Sequence, residues 1–184
     1  MTTTATLPLT AGTWAIDNSH SSVEFVVRHM GLSKVRGRFA DFTAELVVGA
    51  DLSACSLTAD VNLASVDTNN ADRDAHLTGT DFFDAEASPR MTFVSTAIEG
   101  SDGEYTATGD LTIRGVTKPV TLDIEFNGTE TFPFDQSVHA GFSATGSISR
   151  KDFGIEFEVP LGADKVMIGD KVQIELEAQF APAG

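Results

Sequence analysis

The chain has 184 residues, 41% of them hydrophobic and 21% charged, which fits one globular domain with a sizeable core and excludes a disordered chain. Its formal net charge of −15 repels phosphate backbones and anionic membranes, so nucleic acid is excluded as an expected partner. The single cysteine, Cys55, rules out an internal disulfide and with it a disulfide-stapled secreted scaffold.

The N-terminal MTTTATLPLTAG contains no basic residue and no continuous apolar run, so neither a signal peptide nor a membrane span is expected there. Nothing further along approaches 18 consecutive apolar residues, so no stable membrane insertion is expected, and a cytoplasmic location follows as an expectation. Residues 1–12 read as a flexible arm, and residues 13–181 as a single domain. Trp14 and Ile16, then Ser22 to Met30, suggest strands, with Val23, Phe25, Val27 and His29 on one face. Between Lys34 and Val48 the apolar face changes parity: Val35 and Phe39 are odd, while Phe42, Ala44, Leu46 and Val48 are even. A one-residue slip turns every later side chain outward, so a bulge or bend is predicted near Ala40–Asp41.

Leu57, Ala59, Val61 and Leu63 alternate again. The stretch Val66–Phe93 breaks the pattern. Asn70 is a good N-cap, Asp72 sits in the first turn, and Gly79 suits a helix stop, so a short helical turn is predicted near 71–78. Asp72 and His76 stand at i,i+4 and are expected to pair. Arg73 is a guanidinium fork that either holds an anionic head group or fastens the helix through Asp74, Asp81 or Asp84, and the fastener is the favoured role. Met91 to Ile98 reads as a strand. Tyr105 to Ile113 and Val120 to Phe126 form the clearest hairpin, reversed at Gly115–Pro119. A polar loop is expected from Asn127 to Gln136. Val138 to Ile148 and Val172 to Phe180 alternate as the last strands, with irregular chain from Arg150 to Gly169 between them.

About eight long strands with one apolar face each, joined mostly by short turns, predict an all-β fold: an eight-stranded antiparallel up-and-down barrel. Small residues at inward positions, among them Ala59, Ala107, Gly109, Ala140 and Ala144, leave room inside for one small ligand.

No phosphate loop, GxSxG elbow, HExxH or paired CxxC is present. The four histidines, His20, His29, His76 and His139, have no metal-ligand spacing, and neither a metal nor a cofactor is expected. Asp17, His20 and Ser21 are too close along an extended chain to form a triad; turn capping by Asp17 and Asn18 explains them better. Thirteen phenylalanines beside one tryptophan and one tyrosine suit a cavity lining and an ordinary core alike.

An ordered set of short motifs adds a resemblance. Trp14-Ala-Ile-Asp17-x-x-His20-Ser21, Phe25-x-x-x-His29, Gly37-Arg-Phe39, Ser65-Val-Asp-Thr68-x-Asn70, Arg73-Asp74-x-His76-Leu77, Asp81-Phe82-Phe83-Asp84, Gly109-x-Leu-Thr-Ile-Arg-Gly115-Val-Thr and Arg150-x-Asp-Phe-Gly154 together resemble the YceI-like family from about residue 13 to 180. The resemblance implies a lipocalin-like barrel with a long apolar tunnel for a polyisoprenoid or similar amphiphile such as a quinone-like lipid. It also implies a homodimer in many members, and no established catalytic set. Many members carry a signal peptide. This sequence departs from them there, which favours a cytoplasmic lipid-binding role over periplasmic transport. Phe25, Val27, Phe39, Phe42, Phe82, Phe83, Phe93, Leu111, Ile113, Phe142 and Phe153 are the expected ligand-binding wall, with Arg73 and His76 as head-group contacts at the mouth. The alternative function is an enzyme on a small hydrophobic substrate, with His20, His29 or His76 as general base.

Overall fold

The computed structural model describes residues 4–184. In chain order the strands are β1 (Gly12–Ile16), β2 (Ser22–His29), β3 (Ser33–Phe39), β4 (Phe42–Val48), β5 (Ser56–Asn62) and β6 (Val66–Asp67). Helix α1 (Ala71–Thr78) follows, and then β7 (Arg90–Ser101), β8 (Glu104–Ile113), β9 (Val116–Thr131), β10 (Val138–Ser149), β11 (Pro160–Gly162), β12 (Lys165–Val166) and β13 (Ile168–Pro182). Apart from the small β11–β12 hairpin, all strands belong to one sheet. β1 with β2, β3 with β4 and β5 with β6 each form one bent strand, so the sheet has eight members. Antiparallel pairing of β13 with both β1 and β2 closes it into a barrel.

The three bends lie side by side and are stitched together. The first is a 3-10 turn at Asn18–His20, the second Ala40–Asp41, the third a 3-10 turn at Leu63–Ser65. The Asn18 side chain donates to the Phe42 carbonyl. Asn62 donates from its backbone to the Asp41 carbonyl (2.9 Å) and from its amide to the Asp41 carboxylate (2.9 Å). The bend foreseen at 40–41 is therefore real. It lets Phe39 and Phe42, of opposite parity, both turn inward, where they pack with Val61, Leu63 and Val66.

Alternating turns define two ends. The near end carries the β2–β3 turn, α1, the β8–β9 turn and the chain from Arg150 to Met167. The far end carries the turns after β4, β7 and β9 and the start of β1. The described part of the expected flexible arm, from residue 4, is docked at the far end; residues 1–3 lie outside the described residues. Leu7 is buried against Trp14, Leu52 and Tyr105, the Leu52 amide donates to Ala5 (3.0 Å), and the Trp14 indole donates to Thr10 (3.0 Å). An apolar residue every few positions was enough to hold a polar-looking segment, because the open barrel end offers surface to cover.

The hairpin after β8 is tighter than expected. Its turn is Arg114–Gly115, both at positive φ, and Val116–Pro119 already belongs to β9. β9 also runs on to Thr131, through much of the expected polar loop.

Candidate functional site

A cavity of about 480 Å³ runs along the barrel axis, within the range of ligand pockets. At the far end it is bordered by Leu7, Tyr105 and Phe180, and at the near end by His29, His76, Phe157 and Met167. Strand alternation builds its wall. Val23, Phe25 and Val27 stand opposite Leu176, Ile174 and Val172 in register, all line the cavity, and all are only half-buried. Their neighbours Glu24 and Arg28 alternate away from them along β2.

Small residues make room for large ones. Gly37 faces the Phe25 ring, and Gly109 faces the Phe93 ring. Val26, on the outer face, is buried beneath the Arg36–Glu175 ion pair (2.7 Å), which bridges β3 and β13 across β2.

Of the expected wall residues, Phe25, Val27, Phe39, Phe42, Phe82, Phe83, Phe93, Leu111, Ile113 and Phe142 all line the cavity. Phe153 does not. It lies in the 3-10 turn Arg150–Phe153, is 1% exposed, and serves as solid core beneath the near end. The sequence reading missed Val23, Val35, Val172, Ile174, Leu176 and Phe157. Their parity along the strands was the available signal.

α1 and the chain after it cover part of the near end. Asn70 caps the helix by accepting from the Arg73 amide (2.9 Å), and Gly79 stops it. Phe83 and Ala85 donate back to Leu77 and Thr78 (both 2.9 Å), which folds Phe82 and Phe83 under the helix. His76 stands edge-on to Phe82 and Phe157, with ring centres 4.9 and 5.0 Å apart. Its Nε2 bonds Asp81 (2.9 Å), not Asp72 as the helical spacing suggested, because the chain reverses at Gly79 and brings Asp81 back over the ring.

Arg73 borders the cavity, but none of Asp74, Asp81 and Asp84 pairs with it. Its Nε donates to Thr68 Oγ1 (2.7 Å) and its Nη2 to the Thr68 carbonyl (2.6 Å). Asp74 takes the other side of Thr68, accepting from its amide (2.9 Å) and hydroxyl (2.5 Å). The helix is thus fastened through a buried threonine, and the guanidinium keeps its charge free of a carboxylate among the described residues.

Arg150, which the sequence singled out only as part of the Arg150-x-Asp-Phe-Gly154 motif, is 3% exposed and also lines the cavity. Its guanidinium donates to the carbonyls of Gly169 (3.0 Å), Ile155 (2.8 Å) and Ile168 (3.2 Å), clamping the Arg150–Met167 connection onto the near end.

The histidines do not assemble a site. His20 bonds Asp17 (2.7 Å) in an exposed turn, and Ser21 turns away to accept from the Gln179 amide (2.9 Å). His139 bonds Ser137 and Gln179 on the polar side of β10, and His29 is exposed at the end of β2. Asp17 accepts from the Ser19 hydroxyl and from His20, which hold its carboxyl down at about 2. Among the described residues no cluster of His, Cys, Asp or Glu is arranged to hold a metal. No helix among them is long and apolar enough to cross a membrane.

The sequence profile of the YceI-like domain matches residues 14–180. A UPF0312 protein of Staphylococcus epidermidis is 39% identical over 166 residues, covering 90% of this chain and 95% of that one. Among solved structures, BcnA of Burkholderia cenocepacia superposes with a TM-score of 0.76 at 26% identity, covering 89% of this chain and 98% of the other. A polyisoprenoid binding domain of Saccharophagus degradans, implicated in plant cell wall breakdown, has a TM-score of 0.63 at 13% identity. It covers 92% of this chain and 98% of that domain, and shares the fold.

Proposed function

This chain belongs to the YceI-like domain family, and we propose that its tunnel binds a long-chain amphipathic lipid, an isoprenoid or a quinone-like molecule. The observation that carries the reading is the lumen itself: a cavity of about 480 Å³ lined mostly by apolar side chains, with Arg73, His76 and Arg150 among the few charged or titratable groups that border it. Such a channel selects for length. Each buried methylene contributes about 0.8 kcal/mol, and association costs about 4–15 kcal/mol. A tail of roughly 20 carbons, at about 16 kcal/mol, offsets even the upper cost, while a chain of roughly five, at about 4 kcal/mol, only matches the lower one. Arg73 and His76 at the near end are the head-group contacts of this proposal. The printed description of the Saccharophagus degradans domain as polyisoprenoid binding agrees with the ligand class.

A histidine general base acting on a small hydrophobic substrate is the rival. Against it stands the placement of the imidazoles: His20 and His139 lie outside the lumen, and His29 and His76 sit at its exposed rim. The proposal describes a carrier or store in the cytoplasm. Cell fractionation and sedimentation of the purified protein test the location and the homodimer.

The deciding experiment is native mass spectrometry of protein purified without detergent, followed by organic extraction of the bound species. A long-chain prenyl lipid or quinone released on denaturation is the expected result. A protein that emerges empty and ignores added prenyl lipids overturns the reading.

A further inference from the structure

Net charge and charge placement tell different stories here. The net charge is −15, yet the twelve lysines and arginines are confined to the near-end half of the barrel. Residues 1–27, 121–149 and 172–184 contain none, and these supply the far-end parts of β1, β9, β10 and β13. The far-end turns carry Asp51, Asp102, Glu104 and Asp135 instead. An anionic surface thus repels the far end most and admits the molecule with its near end first.

The strongest local concentration is the β2–β3 hairpin. Residues 25–40 hold Arg28, Lys34, Arg36 and Arg38 and no acid. Arg36 and Arg38 are paired, with Glu175 and Asp67. Arg28 and Lys34 stand directly opposite one another across the hairpin, and among the described residues neither has a carboxylate within ion-pair distance. Like charges in opposed positions repel, and an external anion between them relieves the repulsion.

The hairpin tip is apolar. Leu32 is 80% exposed and Met30 39%. The Met30 amide donates to Met167 (2.8 Å), and the Met167 amide donates to Val159 (3.0 Å), so the tip is tied to the irregular chain leading into β11. There Val159 and Leu161 are also exposed, beside Glu158, which Lys151 neutralises (2.7 Å), and Asp164 in the following turn. Arg28, His29 and Met167 border the cavity, so the apolar tip lies beside its near end. The other exposed aromatic pair, Phe132 and Phe134, lies at the far end beside Glu130 and Asp135, where a phosphate surface is repelled.

We propose that the near end docks on an anionic bilayer, with Leu32, Met30, Val159 and Leu161 entering the interface and Arg28 and Lys34 meeting lipid phosphates. The tunnel then opens directly onto the lipid layer, and a tail passes between membrane and lumen without crossing water. The whole-chain charge suggested that anionic membranes are repelled. The one-sided distribution of cations restricts that repulsion chiefly to the far end. Docking rests on the lipid-binding reading for its purpose, and on the hairpin's own exposure and charge for its contacts.

The test is flotation with vesicles of phosphatidylcholine alone and of phosphatidylcholine mixed with phosphatidylglycerol, at low and high salt. The full-length protein is expected to float with the mixed vesicles only, and less as salt rises. Arg28→Gln together with Lys34→Gln is expected to weaken partitioning roughly thirtyfold. Leu32→Asp, at an exposed turn that tolerates a charge, is expected to weaken it about tenfold or more while the co-purified lipid, read by native mass spectrometry, stays in place. Failure to float with either vesicle, or flotation indifferent to both variants, overturns docking. So does a Leu32→Asp variant that changes only the oligomeric state, which would make the rim an interface between copies. A protein that carries lipid but never floats refutes docking alone. One that floats but never carries lipid upholds docking and refutes the tunnel reading.

Discussion

Phe25 on β2 lies directly opposite Gly37 on β3, and its ring occupies the space that a side chain at Gly37 would need. A comparable relationship joins Gly109 to Phe93, but there the Val94 carbonyl oxygen also crowds the position. The two glycines predict different outcomes. In Gly37→Ala the Phe25 ring gives way into the open lumen, so the cost falls near the low end of the usual overpacking range of about 1–3 kcal/mol. In Gly109→Ala a backbone atom has to move, and the cost falls near the upper end. Urea unfolding of both variants checks the order; an equal or reversed loss contradicts a lumen able to accept the displaced ring.

Ala144 predicts the complementary case. It lies between Leu176 and Ile124 in register, is half-buried and lines the cavity. Ala144→Phe sends a ring into empty space rather than into packed core. Stability is expected to change by less than about 1 kcal/mol. Lipid retained through purification is expected to fall at least about tenfold, because part of the tail's burial is lost. Native mass spectrometry beside a thermal melt separates the two quantities. Full lipid occupancy in a folded variant would remove the tunnel from the binding mechanism.

Strand parity made most of the barrel legible. The switch from Phe39 to Phe42 announced the bend at Ala40–Asp41, since both rings had to face inward. What stayed hidden depended on partners that leave no spacing signal. Arg150 donates to backbone carbonyls 5, 18 and 19 residues away, and any residue type supplies a carbonyl. His76 was assigned to Asp72 by a rule for straight helices, whereas the reversal at Gly79 delivered Asp81. Leu7 read as part of an arm because burial at an open barrel end is a tertiary event with no local period.

Arg150 also sets a stability prediction. Removing its guanidinium strands the carbonyls of Ile155, Ile168 and Gly169 near the cavity. Each unpaired buried polar group costs about 1–3 kcal/mol, less where water enters. Arg150→Met is expected to lose roughly 3 kcal/mol, and Arg150→Lys nearly as much, since an ammonium lacks the planar fork. Denaturant unfolding gives the loss, and hydrogen exchange across residues 154–169 locates it. A lysine variant of wild-type stability would show that charge, not fork geometry, holds the connection.

Arg73 separates fastening from recognition. Among the described residues its guanidinium bonds Thr68 alone and the side chain remains exposed, so Arg73→Ala is expected to cost about 1 kcal/mol of stability. If it also reads a head group, a prenyl phosphate loses affinity in the variant while an uncharged quinone keeps it. Competition binding with the two ligands decides; equal losses for both mark a purely structural residue.

Asp17 predicts a pH signature. The Ser19 hydroxyl, the His20 ring and the Ser19 amide bond its carboxylate and lower its pKa from 3.8 to about 2. The folded state thus prefers the ionised form more strongly than the unfolded chain does. The resulting stabilisation is fully present above the unfolded value, near pH 4, and is lost as pH falls through the folded value, near pH 2. Asp17→Asn removes this dependence. The stability difference between wild type and variant is therefore expected to shrink steadily as pH falls from about 4 to 2. Other carboxylates with lowered pKa, Asp170 among them, titrate equally in both proteins and cancel in the difference. Parallel stability curves across that window would mean that the capped turn at Asn18–His20 contributes nothing through charge.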